Sequence, residues 1–265
     1  MGRVGAEHVP PVPTSERLAM ITQVLSPEQL SLKSVKPDTV PSSTCGDEDA
    51  GHAAVAALYA KLNAAGEYSR LGSSFSTITG FLAPLEGYTL MGLAAVNEVE
   101  GAVVEIGSFM GLSTSWLATG AKAAGTDKVV AIDHFKGSPE HQKGESCEDE
   151  VVSKVGSTYF EFEKNLRSRS LWDQVDVRVG SSKEVAKSWD GPIRLLFIDG
   201  EHSWEGVRTD FALWSPHVAR GGLIAFHDVD DWPDVTRFYR ALLLANGGYV
   251  EVLQIGSLGV VQKTV

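Results

Sequence analysis

The chain has 265 residues, 43% of them hydrophobic, with 23 Lys and Arg against 34 Asp and Glu, a formal net charge of −11. That length suits one domain with an extension and a sizeable core, and the acidic balance argues against nucleic acid or an anionic membrane surface as partner. Cys45 and Cys147 are too few for a disulfide framework and do not form a paired-cysteine metal motif; with no apolar signal region in MGRVGAEHVPPVP and no bilayer-spanning run, a reducing cytoplasm is the expected location.

Residues 1–14 read as a loose arm rich in Pro and Gly. A short helix is predicted over 16–25, with Leu18, Ile21, Val24 and Leu25 on one face and Ser15 as its cap. A loop follows over 31–49, then a stronger helix over 50–65 with Val55, Leu58, Tyr59 and Leu62 at helical spacing and Gly66 as its stop. Gly72 and Ser73-Ser74 indicate a second loop, and helix resumes over 85–99. Residues 1–74 are therefore taken as an N-terminal arm with helices, serving as a cap or an oligomer contact, and 75–265 as the main domain.

From residue 101 strands and helices alternate, which implies a mostly parallel sheet covered on both faces. Strands are predicted at 102–106, 128–132, 175–179, 193–198 and 222–227. Two more, near 249–254 and 258–263, are joined by a Gly256-Ser257-Leu258-Gly259 hairpin turn. Helices are predicted at 112–124, about 155–168, 183–188, 204–218 and 234–246; Val207, Phe211, Trp214 and Val218 make one apolar stripe.

Such a sheet binds ligands beyond the carboxyl ends of its strands, and those ends are unusually polar here. The first strand, Val103-Val104-Glu105-Ile106, runs into Gly107-Ser108-Phe109-Met110-Gly111, a G-x-x-x-G turn rather than the G-x-G-x-x-G of dinucleotide binders. The second ends at Asp133, placed to accept ribose hydroxyls or to cap a helix. The third is followed by Gly180-Ser181-Ser182, small enough to flank a flat base and equally suited to capping. The fourth ends in Asp199-Gly200-Glu201-His202 and the fifth in His227-Asp228-Val229-Asp230-Asp231. Carboxylates and imidazoles converging at two adjacent strand ends suit a divalent cation or a general base beside a hydroxyl. Asp230 and Asp231 read as a solvated rim.

These segments, VVEIGSFMGLSTSWLA, IDHFKGSPEH and FIDGEHSWEGV, together with GFLAPLEGYTLMGLA and GGLIAFHD, resemble class I S-adenosylmethionine-dependent methyltransferases. More narrowly they are similar to the small-molecule O-methyltransferases of the macrolide-sugar and cephalosporin-pathway type. The resemblance covers roughly 75–265. It implies a Rossmann-like α/β fold with a seven-stranded sheet whose last strand is antiparallel. It implies S-adenosylmethionine as cofactor, with Glu105, Gly107, Ser108 and Gly111 at the methionine end, Asp133 at the ribose, Ser181 and Ser182 at the adenine, and Asp199 beside them. It also implies His202 as catalytic base, and Asp199, His227 and Asp228 as ligands of a divalent cation, Mg²⁺ or Mn²⁺ before Fe²⁺ or Zn²⁺. His227 stands where the resembling enzymes carry an acid, which favours a softer ion or none.

The expected activity is methyl transfer to a hydroxyl of a small natural-product or sugar-like acceptor. The alternatives are a non-methylating reaction on the same fold, a nicotinamide-dependent oxidoreductase and a noncatalytic binding module. The polar insert from Lys136 to Thr158, carrying His141, Cys147, Glu148, Asp149 and Glu150, reads as a lid. Trp204 and Trp232 are candidates for the acceptor pocket wall, and Trp172, Trp189 and Trp214 for packing.

Overall fold

The structure is a computed structural model; it describes residues 67–95, 99–126, 128–245 and 247–265. The helices predicted over 16–25 and 50–65 lie outside these residues.

Among the described residues the chain runs α1 (Glu67–Phe75), α2 (Pro84–Ala95), β1 (Ala102–Ile106), α3 (Leu112–Ala124), β2 (Val129–Asp133), α4 (Glu150–Val155), α5 (Tyr159–Ser168), β3 (Val175–Val179), α6 (Ser182–Ala186), β4 (Ile193–Ile198), α7 (Trp204–Trp214), β5 (Val218–Phe226), α8 (Pro233–Leu244), β6 (Tyr249–Ile255) and β7 (Leu258–Lys263). The seven strands form one sheet in the order β3-β2-β1-β4-β5-β7-β6. β2, β1, β4 and β5 pair in parallel with their neighbours, and β7 runs antiparallel to both β5 and β6. This is the Rossmann-like α/β arrangement expected.

Helices cover both faces because the central strands are apolar on both. β4, Ile193–Ile198, is buried at every position. One face carries Trp116, Leu117, Phe162 and Leu166 from α3 and α5, with Leu90 of α2. The other carries Trp214 of α7 with Phe238 and Tyr239 of α8. Trp214 is fully buried, as its packing role requires, and Trp172 and Trp189 pack against the two cores.

Four local expectations are corrected. The loop read through Gly72 and Ser73-Ser74 is the helix α1. Only Leu71 and Phe75 of its described side chains are buried, and Phe75 meets the Trp116 ring edge-on at 4.7 Å; packing sustains a helix that propensity alone does not favour. The helix predicted over 155–168 is two, α4 and α5, because Gly156 takes a left-handed φ of +77° and closes α4. The helix predicted to 218 ends at Trp214 and gives way to a 3₁₀ turn at Ser215–His217, where Pro216 sits. β5 begins at Val218, four residues before its predicted start.

The strand order reverses direction between β1 and β4, so the crevice above that pair is where a ligand fits. Sheet pairing continues just past the strand ends. The Gly107 N–H donates to the Ile132 carbonyl at 3.0 Å, Asp199 N–H to Ile106 at 2.9 Å and His227 N–H to Ile198 at 3.1 Å. This lays Gly107, Asp199 and His227 in one row.

Candidate active site

A cavity of about 650 Å³ opens above that row. Gly107, Ser108, Asp133, Ser181, Ser182, Asp199, His202, His227 and Asp228 all line it, so Asp133 and His202 face one space. Glu105 and Gly111 do not line it, but lie beneath and behind the turn.

At the β1 end the turn is built from below. Glu105 is fully buried, and its carboxylate accepts hydrogen bonds from the hydroxyls of Ser108 at 2.8 Å, Ser113 at 2.6 Å and Thr114 at 2.5 Å. Burial outweighs these donors and raises its pKa to about 7. Gly107 is required by close approach: φ is +87°, and a β-carbon there would stand 1.9 Å from the Asp199 carbonyl oxygen. Gly111, at φ +88°, starts α3 with no side-chain cap, so the first N–H groups of a 13-residue helix are left for a ligand. Phe109 holds a left-handed φ of +45°, unusual for a residue with a β-carbon. Its ring stacks on His141 at 5.0 Å, and His141 stacks in turn on the exposed Phe81 at 5.8 Å.

Asp133 is committed mainly to this turn. Its Oδ2 accepts the N–H of Ser108 at 2.9 Å and of Phe109 at 2.7 Å, and its Oδ1 accepts the N–H of Phe135. Ser181 caps α6, in a reciprocal capping box with Glu184. The Ser182 hydroxyl donates to Asp210, an α7 carboxyl that is 8% exposed, lines the cavity, and is raised to about 6 by burial.

At the β4 and β5 ends four ionisable side chains converge. His202 Nε2 is 2.9 Å from Asp228 Oδ2 and 3.9 Å from Asp199 Oδ1, while Nδ1 is 2.8 Å from Glu140 Oε1. His227 Nδ1 lies 3.2 Å from both Asp199 Oδ1 and Asp228 Oδ2. The sequence assigned His202 to proton transfer and His227 to a cation; the structure sets both rings against the same two carboxylates. Asp228 reaches the cluster through a left-handed φ of +61°. The His202 ring lies on Trp232, centroid to centroid 4.6 Å. Trp204 is not in the lining, and Arg237 covers its ring at 4.0 Å.

Charge holds this cluster. Burial disfavours the charged His202 ring, but Asp199, Asp228 and Glu140 outweigh it and push its pKa up to about 11. His227 is raised in the same way, against burial, chiefly by Asp199. Burial raises Asp228, and the two imidazoles more than reverse that, holding it well below the usual carboxylate range. Yet neither nitrogen of His202 has an aligned hydrogen-bond partner, though both are buried. One ligand atom each from Asp199, His202 and Asp228 lie within 4.8 Å of one another. A buried polar group without an aligned partner is the exception in folded proteins, and this one belongs to a group of side chains whose donor atoms lie close enough together to hold a cation.

Sequence reasoning missed Glu86, Glu140 and Asp210. Glu86 was visible as the lone acid in the apolar helix segment PLEGYTLMGLAA. Glu140 carried no signal within the insert. The insert does fold over the site, with Pro139, Glu140, His141 and Cys147 in the lining.

Residues 104–229 match a family model described as a methyltransferase domain. That match covers just under half of the chain. Over 127 residues the chain is 29% identical to a catechol O-methyltransferase of Mycobacterium tuberculosis, an alignment covering 48% of this chain and 46% of that protein. The chain spans less than half the length of the curated relatives it matches. A similar fold occurs in the solved O-methyltransferase NovP, at a TM-score of 0.56 and 19% identity, covering 68% of this chain and 79% of that one. It recurs again in the SAH-bound methyltransferase PaMTH1 of Podospora anserina, at 0.56 and 12% identity, covering 85% and 100%. No helix among the described residues is long and apolar enough to cross a membrane.

Proposed function

We propose that the protein transfers a methyl group from S-adenosylmethionine to a hydroxyl of a small, chelating acceptor of natural-product or sugar-like type, such as a vicinal diol, a catechol or a hydroxy acid. One observation carries the reading: a single cavity joins an uncapped helix start and glycine turn to a carboxylate–imidazole cluster.

The α3 N-terminus with Gly107 and Ser108 suits the carboxylate end of the cofactor. Three of about four acceptor sites on Asp133 are taken by backbone N–H groups, which leaves it one ribose hydroxyl. Ser181, Ser182 and Asp210 flank the space left for the adenine. A sulfonium methyl is already activated, so the chain's work is alignment, worth about 7–11 kcal/mol when two reactants are held in line. His202 takes the acceptor's proton, and Glu140 and Trp232 hold its ring in place.

Asp199 and Asp228, with His227 or His202, fit a divalent cation, and the imidazole nitrogen favours Mn²⁺, Fe²⁺ or Zn²⁺ over Mg²⁺. Such an ion would lower the acceptor's pKa and offset the negative field that keeps His202 protonated.

The test is methyl transfer from labelled S-adenosylmethionine to a panel of diols, catechols and hydroxy acids, with and without EDTA. Stoichiometric S-adenosylhomocysteine and a rate cut by EDTA are expected. Equal rates with EDTA remove the cation from the mechanism; no calorimetric binding of S-adenosylmethionine removes the activity itself.

A further inference from the structure

The ring of His227 is held on both sides. Its Nδ1 faces Asp199 and Asp228, while its Nε2 points away from the cavity to Glu86 Oε2 at 3.4 Å. Glu86 is 4% exposed and sits in the first turn of α2, far from the strand ends in sequence. Its position is over-determined. Oε2 accepts the Ala83 N–H at 2.8 Å; Oε1 accepts both the Ser257 N–H at 2.7 Å and the Ser257 hydroxyl at 3.0 Å. Gly256 makes room, since a β-carbon there would stand 2.5 Å from Oε1. The hairpin turn is itself tied to the site, with Val229 N–H donating to the Ser257 carbonyl at 2.9 Å. A buried carboxyl so surrounded by donors is held still, and it accepts a further N–H in a fixed direction.

We propose that Glu86 is a positioning residue: it takes the Nε2–H of His227 and thereby aims Nδ1 into the gap between Asp199 and Asp228, where a divalent cation would sit. Histidines that ligate metals generally donate their other ring N–H to a carboxylate, which fixes the tautomer and strengthens the ligand. Glu86 supplies that carboxylate from a helix outside the strand ends, and makes His227 a ligand through Nδ1. The inference rests on the cation reading of the preceding section for its consequence, and on Glu86 geometry alone for its cause.

The experiment uses the full chain as wild type, Glu86→Gln, Glu86→Asp and Ser257→Ala. Histidine side-chain ¹⁵N–¹H spectra are recorded without metal, with His227 assigned by loss of its signals in His227→Asn. Mn²⁺ affinity is then measured by electron paramagnetic resonance. The wild type is expected to show a downfield Nε2–H signal for His227 that Glu86→Gln loses, with Mn²⁺ affinity falling about 10–100-fold. Glu86→Asp, which keeps the charge but withdraws the oxygen, is expected to behave the same way and serves if Glu86→Gln does not fold. Ser257→Ala, which removes the hydroxyl but keeps the two backbone N–H donors to Glu86, is expected to lower the melting temperature and leave both readouts unchanged, as loss of a purely structural contact would. An unchanged His227 signal in the Glu86 variants overturns the assignment, as does undiminished Mn²⁺ affinity. A wild type that binds no Mn²⁺ overturns the cation reading instead, and the His227 signal then decides the role of Glu86 by itself.

Discussion

The two halves of the crevice treat their acids in opposite ways. Under β1 and β2, Glu105 accepts from three hydroxyls and Asp133 from three backbone N–H groups, so both are engaged mainly by neutral donors. Beyond β4 and β5, Asp199 and Asp228 face imidazoles, and both His202 nitrogens lack an aligned partner. In the first half the acids are occupied and the open groups are the N–H donors at the start of α3; in the second the acids themselves face the cavity beside two imidazoles. On the function proposed above, the glycine-turn half is the seat of the cofactor and the strand-four and strand-five half the reactive one.

If that division is right, His202→Ala has the largest effect and it falls on turnover. The rate of methyl transfer should drop about 10²–10⁴-fold, with S-adenosylmethionine affinity by calorimetry nearly unchanged. A matching loss of cofactor affinity would erase the distinction between the halves. Gly107→Ala should do the reverse. The clash with the Asp199 carbonyl and the positive φ should cost about 3 kcal/mol or more in denaturant unfolding, because the seat cannot give.

Glu105 sharpens the comparison through pH. Its folded pKa of about 7 lies above the usual 4.5, so the folded state binds the extra proton between those values. Its contribution to stability is therefore greatest below pH 4.5 and lost as pH rises to about 7, a fall of about 3 kcal/mol that Glu105→Gln should abolish. Unfolding free energies of wild type and variant across pH 4 to 8 read this directly; parallel curves would mean that the three hydroxyls keep the carboxylate charged. His141→Ala should have the smallest effect. It removes the stack that clasps the insert to Phe109 and Phe81, worth about 0.5–1.5 kcal/mol. Faster proteolysis of residues 136–158 with unchanged global stability is the expected result.

Much of the sheet was readable because its signals are local. Apolar runs ending in Gly107, Asp133, Asp199 and His227 mark strands and their tips, and the tips had to share one rim once the strands were parallel. α1 was not readable, since Gly72 and two serines hide a helix that is sustained by burial of Leu71 and Phe75, the latter against Trp116. The insert, read as a lid, lines the cavity with Pro139, Glu140, His141 and Cys147, yet nothing in its polar sequence set Glu140 against His202.

Residue types and their spacing thus determined the architecture, the polar rim and the chemistry available to it, since strand periodicity and turn-forming glycines act over a few residues. The environment of each polar group was decided only by the folded chain. Asp133 and Asp199 look alike in sequence, each an acid at a strand tip. Folding gives one of them backbone N–H groups and the other, besides its neighbour His202, a second carboxylate and a histidine brought from the end of β5. Glu86, brought over from α2, and Glu140, from the insert, complete that cluster, and such long-range electrostatics has no period for a sequence to display.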